Sequence, residues 1–189
     1  MNKITVGIFV GSLRRDSFSK KVAKYLRDLL AEQFDVSFVE ISSLTIYNED
    51  LDTEGMMPDE WRRFREEVKS LDAVLFVTPE YNRSLPAVLK NALDVASRPK
   101  NDNAWNGKPG AVVGVSPGNI GGFGAGQHLR QAASCLNIFM MQQPEAYIGG
   151  ISASVNDDSV SSESLQSFLK HFADEFAKLV KDHLCSSGA

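Results

Sequence analysis

Runs of β-branched and aromatic residues alternate along this chain with helix-spaced apolar stripes, and that alternation limits the fold more than any other feature. Residues 3–10 (KITVGIFV), 73–78 (AVLFVT) and 110–116 (GAVVGVS) are near-continuous apolar runs, the pattern of strands covered on both faces. Residues 35–41 (DVSFVEI) alternate instead, and 138–141 form a short fifth strand that 146–148 continues. Phe18, Val22, Tyr25, Leu26, Leu29 and Leu30 recur at helical spacing and predict a helix over 17–33. Pro58 opens a second helix with Trp61, Phe64, Val68 and Leu71 as its stripe, and Pro86 opens a third that Pro99 ends. Helices at 127–136 and from Leu165 to Leu179 complete the set. Residues 42–57 and 152–164 read as irregular. Strands alternating with helices imply an α/β fold, a parallel sheet with helices on both faces.

No linker or repeat interrupts the 189 residues, so residues 1–189 read as one domain. Apolar residues at 43% argue against disorder, and a net charge of 20 − 24 = −4 argues against a nucleic-acid footprint. No apolar run approaches the ~20 residues of a membrane span. The opening residues, MNKITV, lack a signal-peptide cleavage site, and two cysteines, Cys135 and Cys185, form no metal or redox motif. A cytoplasmic protein with reduced thiols is expected.

In doubly wound sheets ligands sit beyond the carboxyl ends of the strands. Three loops there are unusual. Residues 11–19 (GSLRRDSFS) join a buried strand to a helix N-terminus, where free N–H groups, the helix dipole, the hydroxyls of Ser12, Ser17 and Ser19 and the Arg14 guanidinium suit a phosphate. Neither a Walker loop nor Gly-x-Gly-x-x-Gly is present. Residues 78–86 (TPEYNRSLP) are stiffened by two prolines and can present fixed main-chain groups to a planar heterocycle. Residues 118–126 hold five glycines in nine positions, which suggests close approach of backbone to a ligand.

The motifs Gly-Ser-Leu-Arg-x-x-Ser at 11–17, Pro-Glu-Tyr-Asn-x-Ser-x-Pro at 79–86 and Leu-Lys-Asn-Ala-Leu-Asp at 89–94 resemble those of the NAD(P)H-dependent FMN reductases. The glycine loop followed by His128-Leu129-Arg130-Gln131 resembles the branch of bacterial soluble quinone and chromate reductases. The resemblance implies a flavodoxin-like three-layer sandwich with a five-stranded parallel sheet of order 2-1-3-4-5. It implies that Ser12, Arg14, Ser17 and Ser19 hold the FMN phosphate. It places Pro79, Glu80, Tyr81, Asn82 and Ser84 along the isoalloxazine, and Ser116, Gly118, Gly121 and Gly122 at the ring's other side. Members often carry asparagine where Ser19 stands. Gly124 and Gln127 stand where some chromate-reducing relatives carry arginine and tyrosine, a departure at the positions from which a tetramer contact and an oxyanion preference would be carried over.

The implied reaction takes a hydride from NADPH or NADH onto FMN and then reduces quinones, flavins, azo compounds or chromate, in ping-pong order. No catalytic side chain and no metal are called for, since the cofactor does the chemistry. Arg14, Arg83 and Arg130 are alternatives for the pyridine nucleotide's phosphates. A homodimer or dimer of dimers is implied. Two other readings compete. A flavodoxin-like electron carrier would lack NAD(P)H activity and want a more acidic face than −4 provides. A serine hydrolase would use Gly-x-Ser-x-Gly at 114–118, but Pro117 removes the N–H that an oxyanion hole needs after Ser116.

Overall fold

β1 (Thr5–Val10) lies inside a parallel sheet, paired with β2 (Asp35–Phe38) on one side and β3 (Ala73–Thr78) on the other. β3 pairs with β4 (Pro109–Val115), and β4 carries both β5 (Phe139–Met140) and β6 (Ala146–Ile148). The order β2-β1-β3-β4-β5 is that of flavodoxin-like sheets. The computed structural model describes residues 3–157 and 159–187; residues 1–2, 158 and 188–189, which the one-domain reading and the reading of the N-terminus include, lie outside the described residues.

Side chains alternate across the sheet and build two apolar layers. Val6, Ile8, Leu75, Val77 and Val113 pack against α1 (Phe18–Ala31) and α5 (Glu163–Ser187), through Leu26 and Leu30 of the first and Phe172 and Phe176 of the second. Phe9, Val74, Phe76 and Val112 face the opposite way, onto α2 (Asp59–Ser70), α3 (Ala87–Ala96) and α4 (Phe123–Cys135). The Phe168, Phe172 and Phe176 spacing thus marks a core face. Trp105 is fully buried among Phe9, Phe64 and Phe76, with its indole N–H donated to the Leu93 carbonyl at 3.0 Å. Among the described residues no helix is long and apolar enough to cross a membrane.

Three elements differ from the sequence reading. β2 ends at Phe38, three residues early, because it is an edge strand that leaves the ladder after Val39 bonds the Ile8 carbonyl. The fifth strand is two segments, both paired with β4. Pro144 lies between them and has no N–H to give a ladder. α4 begins at Phe123, inside the glycine run and four residues before Gln127.

The irregular 42–57 segment is held from below. Asn91, on α3, accepts from Tyr47 N at 2.8 Å and donates to the Thr45 carbonyl at 2.9 Å. Trp61 also donates to that carbonyl, at 3.2 Å. Arg65 meets both oxygens of Asp52 at 2.8 and 2.9 Å, and its Nε donates to the Val95 carbonyl. The motif residue Asn91 therefore works as a brace for the segment after β2.

Candidate functional site

Because β1, β3 and β4 are neighbours, their loops emerge side by side at the carboxyl edge of the sheet. They enclose a cleft of about 220 Å³ whose wall includes Ser12, Arg14, Ser17, Ser19, Pro79, Glu80, Tyr81 and Ser116. Ser12, Ser17 and Ser19 are only 3%, 3% and 2% exposed. Ser17 takes extended backbone geometry before α1, and its Oγ accepts from Lys20 N at 3.3 Å, an N-cap. The first-turn N–H groups of Phe18 and Ser19 have no intrahelical acceptor and lie at the positive end of the dipole. Three buried hydroxyls and a helix N-terminus at one spot form a site for an anion. Arg14 is exposed at its wall.

The second loop closes on itself. Tyr81 and Ser84 exchange two main-chain hydrogen bonds, at 2.9 and 3.0 Å. Asn82 and Arg83 between them have φ of 51° and 67°, so the turn is of the I′ kind. Asparagine adopts that geometry readily; arginine seldom does. Asn82 is therefore exposed at the turn tip and does not line the cleft. Ser84 also leaves it, pairing its Oγ with His128 Nδ1 at 2.9 Å beside a separate groove between α3 and α4.

Glu80 does something composition did not reveal. Its Oε2 accepts from Gly124 N at 2.7 Å and Ala125 N at 3.3 Å. The carboxylate thus caps α4, whose N-cap Gly122 has no side chain to do so, and this is why the helix starts early. A Cβ at Gly124 would stand 2.8 Å from the Arg83 carbonyl oxygen, so glycine lets the helix sit against the second loop. Glu80→Ala is expected to cost about 1–2 kcal/mol of stability, with Glu80→Gln retaining part of it; thermal unfolding of the two variants checks this.

The glycine loop is turned inward. Gly121 and Gly122 have φ of 69° and 79° and are buried. A Cβ on Gly121 would lie 2.5 Å from the Tyr147 carbonyl, and one on Gly114 2.7 Å from the Gly121 oxygen. Gly121 and Gly122 approach the chain's own β4 and β6 closely. Gly118 is exposed, its N–H donated to Ser116 Oγ at 3.0 Å. Gln127 donates to the Tyr147 hydroxyl at 2.6 Å, which itself bonds Glu145; burial and that carboxylate push the tyrosine pKa up and keep it protonated.

Eight of the expected residues therefore meet at the cleft, while Asn82, Ser84, Gly118, Gly121 and Gly122 do not line it. Phe18, Val115 and Pro117 line it unforeseen. Phe18 read as part of the helix stripe, and only its place at the first helical residue could have signalled otherwise. Of the three candidate arginines, Arg14 lines the cleft; Arg83 lies 3.4 Å from Glu80 at the turn, and Arg130 donates to the Met141 carbonyl at 2.9 Å. A larger hollow of about 620 Å³ between α4, β5 and α5, lined in part by Arg130, Gln142, Gln143 and Lys178, lies away from the three loops. Ser116 has no histidine partner among the described residues, and His128 is engaged by Ser84, so the hydrolase reading lacks its base.

The strand order defines a doubly wound fold, a class whose ligands sit beyond the carboxyl ends of the strands at the switch point. Residues 4–153 match the family described as NADPH-dependent FMN reductase, and the chain belongs to that family. It is an oxidoreductase with FMN as cofactor and NAD(P)H as electron donor. A quinone reductase of Pseudomonas putida is 50% identical over 177 residues, 94% of this chain and 95% of that protein. A 2-hydroxy-1,4-benzoquinone reductase of a Burkholderia species is 43% identical, over 95% of this chain and 97% of its own. The solved structure of FerB, a flavoenzyme NAD(P)H:(acceptor) oxidoreductase from Paracoccus denitrificans, superposes with a TM-score of 0.87 at 40% identity, covering 95% of this chain and 98% of that one.

Proposed function

We propose that the chain is an NAD(P)H-dependent quinone reductase whose carboxyl-edge cleft holds FMN. The carrying observation is the convergence of buried Ser12, Ser17 and Ser19 on the N-terminus of α1. The residues present fit the cofactor, because its phosphate is a dianion and this donor set is built for one. FMN, when bound, accepts a hydride from the nicotinamide and passes two electrons to an acceptor.

The chain's own part is binding and orientation. Ser12, Ser19 and the free N–H groups of α1 would hold the phosphate, with the Arg14 guanidinium at the cleft wall as a further donor. Pro79, Glu80 and Tyr81 present one wall to the ring, with the main chain of that loop fixed by its turn and by the Glu80 cap. Ser116 and Pro117 present the other. Gly121 and Gly122 hold the third loop in place against β4 and β6. One shallow cleft serves both substrates, so donor and quinone take turns; initial rates at varied NAD(P)H and quinone give parallel lines, and intersecting lines would contradict this.

The quinone class follows from the names of the two relatives at 50% and 43% identity. Flavins, azo compounds and chromate are further acceptors for an open site. Arg14→Ala is expected to weaken FMN binding by about 10- to 150-fold, the loss of one charge-assisted phosphate contact of ~1.5–3 kcal/mol. Titration of the flavin-free chain with FMN measures it.

A second copy covers the groove of about 560 Å³ between α3 and α4. Tyr81, Ile120 and Phe123 are 46%, 53% and 46% exposed, apolar surface suited to a homodimer, which can pair again as a dimer of dimers. Cys135 and Cys185 are free thiols, consistent with work in the cytoplasm.

A further inference from the structure

A second cleft of about 240 Å³ opens beside the first and shares Ser12 with it. It runs between α1 and the end of β2, on the side of β1 away from the flavin-ring loops. Its composition is mixed in an ordered way. Leu13 and Phe38, 51% and 40% exposed, offer apolar surface to a planar base, and the Arg27 guanidinium already lies over the Phe38 ring, 5.7 Å from its centroid. Lys20 and Lys24 are one helical turn apart and line the same wall. Neither forms an ion pair within 4.0 Å among the described residues, and Lys20 Nζ donates to the Leu13 carbonyl at 3.4 Å. Across from them Glu40 Oε1 accepts from Ser42 N at 2.6 Å. Bonds from Ser42 and the nearby Lys20 hold the Glu40 carboxyl below its usual range, so it is ionised at neutral pH and keeps free lone pairs for hydroxyl donors.

We infer that this cleft is a subsite for an adenosine 5′-phosphate group, with the base on Leu13 and Phe38, ribose hydroxyls on Glu40 and phosphate on Lys20 and Lys24. Two molecules carry that group next to this site: the pyridine nucleotide, through its adenosine half, and FAD, whose additional AMP would extend past the phosphate cleft. The inference rests on the flavin reductase reading for what the nucleotide does, and not for whether it binds.

ADP is the probe, titrated calorimetrically into the FMN-loaded chain and into Lys24→Glu, a change on an exposed helix surface outside the flavin cleft. The expected result is that ADP binds the wild type and binds the variant at least tenfold more weakly, with melting temperature and flavin content unchanged. No binding to the wild type at millimolar ADP, or equal binding to both chains, overturns the subsite. If the chain retains no flavin, the functional reading fails while the same titration of the flavin-free chain still decides the subsite. Where ADP binds, displacement by NADH or NADPH with FMN in place assigns the pyridine nucleotide, and displacement by FAD alone from the flavin-free chain assigns the flavin's AMP half.

Discussion

Arg65→Ala is expected to destabilise the protein by about 3–5 kcal/mol, because it strands a buried carboxylate. Arg65 and Asp52 have side chains only 6% and 7% exposed, and they meet through two short bonds. For a domain of this size that loss lowers the melting temperature by roughly 6–20 °C. Thermal unfolding of the variant measures it, and replacing both partners with apolar residues of similar volume should cost much less. The same pair shapes the acid limb. The Arg65 hydrogen bond holds the Asp52 carboxyl below its ordinary value against the opposing effect of burial. A depressed native pKa means the contribution is complete above the unfolded aspartate value of about 3.9 and is lost as pH falls through the lower native value. Asp52→Asn should therefore show a flatter decline in stability below that value, even though it is less stable at neutral pH.

Gly121→Ala carries the other large effect. The position has φ of 69° and leaves 2.5 Å between an added Cβ and the Tyr147 carbonyl, which is backbone and cannot swing aside. Left-handed geometry costs about 1–2 kcal/mol and overpacking a further 1–3, so a loss of roughly 2–5 kcal/mol is expected. The displaced loop would also carry Ser116 away from the cleft, so FMN affinity should fall with stability. Gly118→Ala, with only Ser116 Oγ at 3.5 Å from its Cβ, should change stability little. Paired measurements of unfolding and FMN affinity on the two variants separate glycines that fold the loop from those that merely lie in it.

The sheet was legible because buried parallel strands are near-continuous apolar runs, and residues 73–78 and 110–115 are buried throughout. The first loop was legible for a related reason: Ser12, Ser17 and Ser19 between a buried strand and a helix have an anion site as their common chemistry, and all three line the cleft. What stayed hidden depended on pairing between distant segments. Nothing local says that Glu80 caps a helix forty-four residues on, or that Gly121 lies against Tyr147. The turn at Asn82 and Arg83 was obscured because arginine is a poor residue for positive φ. The 42–57 segment read as structureless because its order comes from Asn91, Trp61 and Arg65, outside the segment itself.

The central claim is that the cleft at the ends of β1, β3 and β4 holds FMN and exposes it to a pyridine nucleotide. An absorption spectrum of the chain, taken after incubation with FMN and desalting and again after anaerobic NADPH or NADH, tests it most directly. Retained flavin bands that bleach rapidly on addition of the nucleotide are expected. A desalted protein without flavin bands at micromolar concentration, or bands that persist in the nucleotide's presence, would contradict it.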